Sequence, residues 1–276
     1  MLKGVVGLVT GGASGLGKAT VERIVREGGK VRITIFFFFS VSCLYFVLTK
    51  VTMCDLPSSQ GAAVASAINS PNCIFVPTDI TKTADVENAL AETKDKFGRL
   101  DATINCAGIG VAFKVYNFNK NRAHSLEDFE KVQMVNVCGT FNVIRLAVGL
   151  MGANEPDSDN QRGVVINTAS VAAYDGQMGQ AAYSASKGAI VGMTLPLARD
   201  LSTQGIRVNT IAPGLFDTPL LASLPEKVRI FLAKTVPNPS RLGNPDEYAH
   251  LVQHIITNRM MNGETIRLDG AIRMQP

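Results

Sequence analysis

The apolar run Val5-Val6-Gly7-Leu8-Val9 ends in Thr10-Gly-Gly-Ala-Ser-Gly-Leu-Gly17, and a helix-patterned segment, "GKATVERIVREGG", starts at once behind it. This order of strand, glycine turn and helix constrains the chain more than any other feature. A strand apolar on both faces belongs inside a parallel sheet covered on both sides. The glycines at 11, 15 and 17 permit a tight turn and a close backbone approach to a pyrophosphate. The amides and positive dipole end of the following helix then face that charge. A glycine-rich loop alone is weak evidence, but here it stands where a dinucleotide fold needs it. Its spacing is Thr-Gly-x-x-x-Gly-x-Gly, which departs from the common Gly-x-Gly-x-x-Gly.

The remainder alternates in the same way. "VTMCD", "NCIFVPTDI", "LDATINCAG", "GVVINTAS", "IRVNTIAPG" and "ETIRLDG" read as strands. Between them lie the helix-patterned "GAAVASAIN", "TADVENALAETKDKFG", "LEDFEKVQMVNVCGTFNVIRLAVGLM" and "AAYSASKGAIVGMTLPLARDLS". The pattern predicts one α/β domain over residues 1–276, a Rossmann-like, doubly wound parallel sheet with helices on both faces. No repeat or linker divides it. A net charge of +4 without a lysine/arginine block offers no argument for nucleic-acid binding. The five cysteines form no CxxC or Cys/His cluster, so neither a disulfide framework nor a metal site is expected. "MLKGVVGLVTGG" enters its strand directly, and no cleavable leader is expected ahead of it.

One stretch breaks the alternation. Residues 33–48 carry no charge and include four consecutive phenylalanines, Phe36 to Phe39. An acidic residue about 20 positions after the glycine loop should grip the adenosine ribose. Asp55 is chemically right but lies 38 positions beyond Gly17. Without Val31 to Lys50 that gap becomes 18, and Lys30 joins Val51 directly. Phe, Ser, Leu, Tyr, Cys and Val all admit pyrimidine-heavy codons, and Lys30-Val31-Arg32 admits a splice donor. The favoured reading is therefore a translated, unspliced intron, ahead of a genuine apolar loop. A membrane segment ranks last, because the run is shorter than the ~20 residues that a spanning helix needs. No membrane span is expected.

Further candidates sit at strand ends. Thr78-Asp79-Ile80 follows the third strand and Asn105-Cys106-Ala107-Gly108 the fourth; each singly reads as a polar turn, but in series after the glycine loop they read as cofactor contacts. Tyr183 and Lys187 in "YSASK" share one helix face. An ammonium beside a phenol favours the phenolate and would let it act as a base. Ser170 ends a strand thirteen residues earlier, and Asn136 lies within an apolar helix where an unpaired amide is costly. A surface Tyr–Lys pair is the plain alternative; Ser170 and the upstream loop tip the balance.

Together the loop, "NCAG", Asn136, Ser170, Tyr183, Lys187 and "PG" at 213–214 resemble the short-chain dehydrogenase/reductase superfamily over nearly the whole chain. "YNFNKNRAHSLEDF", "INTASVAAYDGQMGQAAYSASKGAIVGMTLP" and "IAPGLFDTPL" resemble its mitochondrial members that act on 3-hydroxyacyl-CoA and hydroxysteroids. The resemblance implies NAD as cofactor, with Gly11, Ser14, Gly15, Leu16, Gly17, Asp55, Asp79, Ile80, Cys106, Tyr183, Lys187, Phe216 and Thr218 on its binding positions. It implies a catalytic group of Asn136, Ser170, Tyr183 and Lys187, in which Ser170 holds the substrate oxygen, Tyr183 takes its proton, and Lys187 binds the ribose and lowers the tyrosine pKa. It further implies a homotetramer in the mitochondrial matrix, an acyl-CoA or steroid substrate, and a non-redox role beside a tRNA methyltransferase and a nuclease in ribonuclease P. Lys114, Lys120 and Arg122 are candidates for CoA phosphates or RNA, although a solvated loop is the favoured reading.

Overall fold

The computed structural model describes residues 2, 4–28, 49–222 and 224–276. The first strand, β1 (Val6–Thr10), is buried along its whole length, as a run without a polar face must be. Helix α1 (Gly15–Arg26) turns Val21 and Ile24 to the sheet and leaves Glu22 in water. Then come β2 (Lys50–Asp55), α2 (Gly61–Ile68), β3 (Cys73–Pro77), α3 (Thr83–Phe97) and β4 (Ala102–Asn105). A small hairpin, β5 (Tyr116–Asn117) and β6 (Arg122–Ala123), precedes α4 (Leu126–Gln133). Helix α4 continues through a π-helical turn, Met134–Gly139, into α5 (Thr140–Gly152). After it follow β7 (Gly163–Thr168), α6 (Ala181–Asp200), β8 (Ile206–Pro213), α7 (Pro219–Ala222), α8 (Glu226–Thr235), α9 (Pro245–Thr257) and β9 (Thr265–Leu268).

The main sheet has seven parallel strands in the order β3-β2-β1-β4-β7-β8-β9. One apolar layer joins α1, α2 and α9 to one face through Val21, Ile24, Val64 and Val252. The other joins α3, α5 and α6 through Val86, Leu90, Ile144 and Ala198. Fully burying a Val or Ile side chain, as at Val21 and Ile24, contributes about 1.5–3 kcal/mol relative to exposure. Arg23 fastens α1 to α9 by donating to Gln253 Oε1 (2.6 Å) and Asp246 Oδ2 (2.7 Å). Chain direction across the sheet reverses between β1 and β4, which opens a crevice at their carboxyl ends.

Residues 50–55 form the second strand, with Leu8 opposite Thr52 and Met53 opposite Phe75. Both neighbours of that position are therefore satisfied by "VTMCD". In the sequence, "VRITIFF" at 31–37 also continues directly from the first helix and competes for that strand; it lies outside the described residues, as does the greater part of the 31–50 stretch. Its described flanks nevertheless meet: a Cβ built on Gly28 would lie 2.9 Å from the Thr49 backbone N. The Thr49 hydroxyl donates to the Ile24 carbonyl, and Lys50 N to Val5 O at 2.9 Å. The chain at Thr49 thus enters the sheet beside the end of α1.

Among the described residues, one helical stretch, Leu126–Gly152, is apolar and long enough to cross a membrane by length and composition. It packs on α3, α6 and β7.

Candidate active site

Each candidate side chain is delivered by the carboxyl end of a strand or by the helix that follows. The glycine loop leaves β1, turns with Gly11 and Gly15 at φ +64° and +50°, and becomes the first turn of α1. Space explains the glycines. A Cβ on Gly17 would lie 2.1 Å from Gly11 O, and one on Gly11 would lie 2.8 Å from Ala107 N. The loop is therefore packed backbone to backbone against "NCAG" at the end of β4. Ser14, the N-cap of α1, makes no side-chain capping bond, so the helix's amino end is open to an anion.

Asp55, at the end of β2, accepts from Ala13 N at 2.9 Å and from Leu56 N at 2.8 Å. This ties the carboxylate to the loop that it must serve. Asp79 accepts from Thr81 N (3.0 Å) and Thr81 Oγ1 (2.7 Å); the side-chain bond leads in holding its carboxyl below the usual range. Ile80 is buried against Gly139, and Thr218 reaches to 3.4 Å from where a Gly15 Cβ would stand. Phe216 is buried beside Gly243.

At the other end, Tyr183 and Lys187 project from α6 and Ser170 from the turn after β7. Burial pushes the Tyr183 phenol up, and a hydrogen bond with Ser170 partly offsets it. Lys187 Nζ donates to Thr168 O at 2.7 Å and lies 5.6 Å from the centroid of the Tyr183 ring. Burial brings that amine down to about 8. Burial is the leading cause of both shifts, raising the phenol and lowering the amine because it disfavours the charged form of each.

Asn136 lies in the π-helical turn, a feature common at functional sites. Its Oδ1 accepts from Ile109 N (2.8 Å), and its Nδ2 donates to Ile109 O (2.8 Å) and Ser186 Oγ (3.0 Å). The amide is fully used, linking the segment after "NCAG" to the helix that carries Tyr183.

One cavity of about 930 Å³ joins the two ends. Gly15, Leu16, Asp55, Asp79 and Ile80 line it at the glycine-loop end, and Ser170, Tyr183 and Lys187 at the other. Gly11, Ser14, Gly17, Cys106, Phe216 and Thr218 line it too. Asn136 does not; it buttresses the wall from behind. Lys114, Lys120 and Arg122 are also absent from the lining, and Arg122 instead covers the Phe113 ring at 5.5 Å. Lys131 is the cation that reaches the cavity from that side. Leu220, Leu221, Leu224, Leu232 and Met274 also line it, and none was singled out from the sequence. Scattered leucines and a methionine near a chain end carry no motif. Only the fold collects them. Among the described residues no three His, Cys, Asp or Glu side chains gather as a metal site.

A strand-end glycine loop, an acidic second strand and a Ser–Tyr–Lys group on one cavity define a nucleotide-dependent oxidoreductase of the doubly wound type. The family model for short chain dehydrogenase matches residues 48–229, leaving the glycine loop to be carried by the geometry above. The chain is 61% identical over 276 residues to 3-hydroxyacyl-CoA dehydrogenase type-2 of Drosophila melanogaster, covering 100% of both. The crystal structure of 3-hydroxyacyl-CoA dehydrogenase type-2 from Mycobacterium avium superposes with a TM-score of 0.87 at 36% identity, covering 99% of this chain and 97% of that one. That of 3-ketoacyl-(acyl-carrier-protein) reductase from Brucella melitensis complexed with NADH gives 0.81 at 27%, covering 99% and 100%. This chain belongs to the short-chain dehydrogenase family.

Proposed function

We propose that the protein oxidises the 3-hydroxyl of short or branched acyl-CoA substrates with NAD, and that hydroxysteroids form a second substrate class. One observation carries the reading: Ser170, Tyr183 and Lys187 face the same cavity as the glycine loop and Asp55. The full-length identity to relatives named for 3-hydroxyacyl-CoA oxidation supports the substrate class.

The residues divide the work. The open first turn of α1 holds the pyrophosphate, and Asp55 accepts from the adenosine ribose hydroxyls while repelling a 2′-phosphate. Ser170 orients the substrate hydroxyl. Tyr183 removes its proton, and Lys187 binds the second ribose and stabilises the resulting phenolate. Bound NAD supplies the hydride acceptor and a positive charge that favours the phenolate. The leucines of α7 and its flank, with Met274, give an acyl chain an apolar wall.

A homotetramer in the mitochondrial matrix belongs to the same proposal and rests on the sequence resemblance. The tRNA-processing scaffold draws on no feature of the site. The intact Ser–Tyr–Lys group favours the enzyme. The test is NADH formation from a short-chain 3-hydroxyacyl-CoA. Turnover with NAD that exceeds turnover with NADP supports the reading, and no NADH from either acyl-CoA or steroid alcohols overturns it.

A further inference from the structure

Behind the catalytic lysine stands a buried side chain, Tyr248, that does not line the cavity. Lys187 Nζ donates to the carbonyl of Thr168, the last residue of β7. The Thr168 hydroxyl lies 2.7 Å from the hydroxyl of Tyr248 on α9 and 3.6 Å from Cys106 Sγ. Cys106 Sγ is in turn 3.6 Å from the Tyr248 hydroxyl. Thr168 and Cys106 follow or end adjacent strands, β7 and β4, and both line the cavity; Tyr248 does not.

Tyr248 has no exposed surface, and a phenylalanine would fill the same apolar space without a hydroxyl to satisfy. Burial holds the phenol protonated far above its usual range, so the hydroxyl stays a donor. The helix that presents it is fixed at its start. Asn244 and Glu247 form a capping box, and Arg241 grips Glu247 through two bonds of 2.8 Å.

We propose that Tyr248 is a positioning residue for the reaction: its hydroxyl pins Thr168 at the end of β7, and the Thr168 carbonyl thereby holds Lys187 in place beside Tyr183. A lysine side chain has four rotatable bonds, and in this pocket its amine is fixed by that one carbonyl. Loosening Thr168 lets the amine drift from the ribose and the phenol, while the acyl end of the cavity keeps its shape. The proposal rests on the dehydrogenase reading. Wild-type turnover in the same assay tests that reading, and the ratio of variant to wild type tests Tyr248.

The experiment compares Tyr248→Phe, Thr168→Val and Thr168→Ser with the wild type, reading kcat and KM for acyl-CoA and NAD. Tyr248→Phe and Thr168→Val are expected to lower kcat by about five- to tenfold, the scale of one hydrogen bond. KM for acyl-CoA stays within about twofold, since its wall is untouched. Thr168→Ser, which restores the hydroxyl, recovers most of the loss. The double variant Tyr248→Phe/Thr168→Val falls no further than Thr168→Val alone, because both remove one link. A lowered melting temperature with unchanged kcat makes Tyr248 a packing residue only and overturns the proposal. So does a fully additive double variant, or a Thr168→Ser protein as slow as Thr168→Val, which decides the matter even where Tyr248→Phe does not fold.

Discussion

The two ends of the cavity are built from different materials. The glycine-loop end is made by backbone: Gly11, Gly15 and Gly17 contribute by having no side chain, and "NCAG" packs directly on the loop. The reaction end is made by side chains held at fixed spacing, with Ser170 at the Tyr183 phenol and Lys187 on Thr168 O. Adding an atom should therefore break the first end, and removing one should break the second.

The largest effect is expected at the reaction end. Tyr183→Phe keeps the ring and deletes the acidic hydroxyl; NADH formation should fall more than ~100-fold, as for loss of a general base. Steady-state assays check this, and near wild-type turnover would remove Tyr183 from its role. At the loop end the reverse change applies. Gly17→Ala places a methyl against Gly11 O, a backbone atom that cannot swing aside. Such overpacking costs about 1–3 kcal/mol and should weaken NAD binding by roughly tenfold to a hundredfold. Titration calorimetry measures it; unchanged affinity would show that the loop does not carry the pyrophosphate.

Asp55 sharpens the contrast, because the proposed function gives this side chain the choice of cofactor at the loop end. Asp55→Asn should narrow the preference for NAD over NADP by about tenfold, as repulsion of the 2′-phosphate is lost. Equal efficiency with both cofactors before the change would refute the role.

Deleting Val31 to Lys50 should raise soluble yield and preserve or improve NAD binding. Gly28 already lies against Thr49, so the described flanks of the segment stand side by side. Equal yield and equal affinity in both forms would make the segment a genuine feature of the protein.

The smallest effect concerns α9. Hydrogen bonds from Arg241, and then from the Asn244 backbone, bring the Glu247 carboxyl from 4.5 to about 2. Its folded value is depressed, so its stabilisation is fully present above about 4.5 and is lost as pH falls toward about 2. The side chain is 46% exposed, which screens the pair. Glu247→Gln should lower the melting temperature by about 1–3 °C at neutral pH and by nothing near pH 2. A pH-independent difference would contradict the assignment.

What was legible in the sequence follows the same division. The loop, Asp55, Asp79, Ser170, Tyr183 and Lys187 could be read because each has a spacing set by strand ends or by a helix turn. The centre of the sheet could be read because buried parallel strands such as β1 are written as apolar runs. The helix at 245–257 was not among the elements read from the pattern, and with it went Tyr248. A phenol whose partners lie 80 and 142 positions away has no local signal. Asn136 was legible as a polar group in an apolar helix, but its partners at Ile109 and Ser186 and its π-helical turn were not. The depth at which Tyr183 and Lys187 are buried was not legible either, since a shared helix face shows nearness and not burial.

The central claim is that the pyrophosphate and adenosine ribose are held at one end of the cavity and the proton transfer takes place at the other. A paired NAD titration of Tyr183→Phe and Gly17→Ala tests it most directly. The account predicts that Tyr183→Phe binds NAD within about twofold of the wild type although it does not turn over, and that Gly17→Ala loses affinity. NAD affinity that collapses in Tyr183→Phe and survives in Gly17→Ala would contradict it.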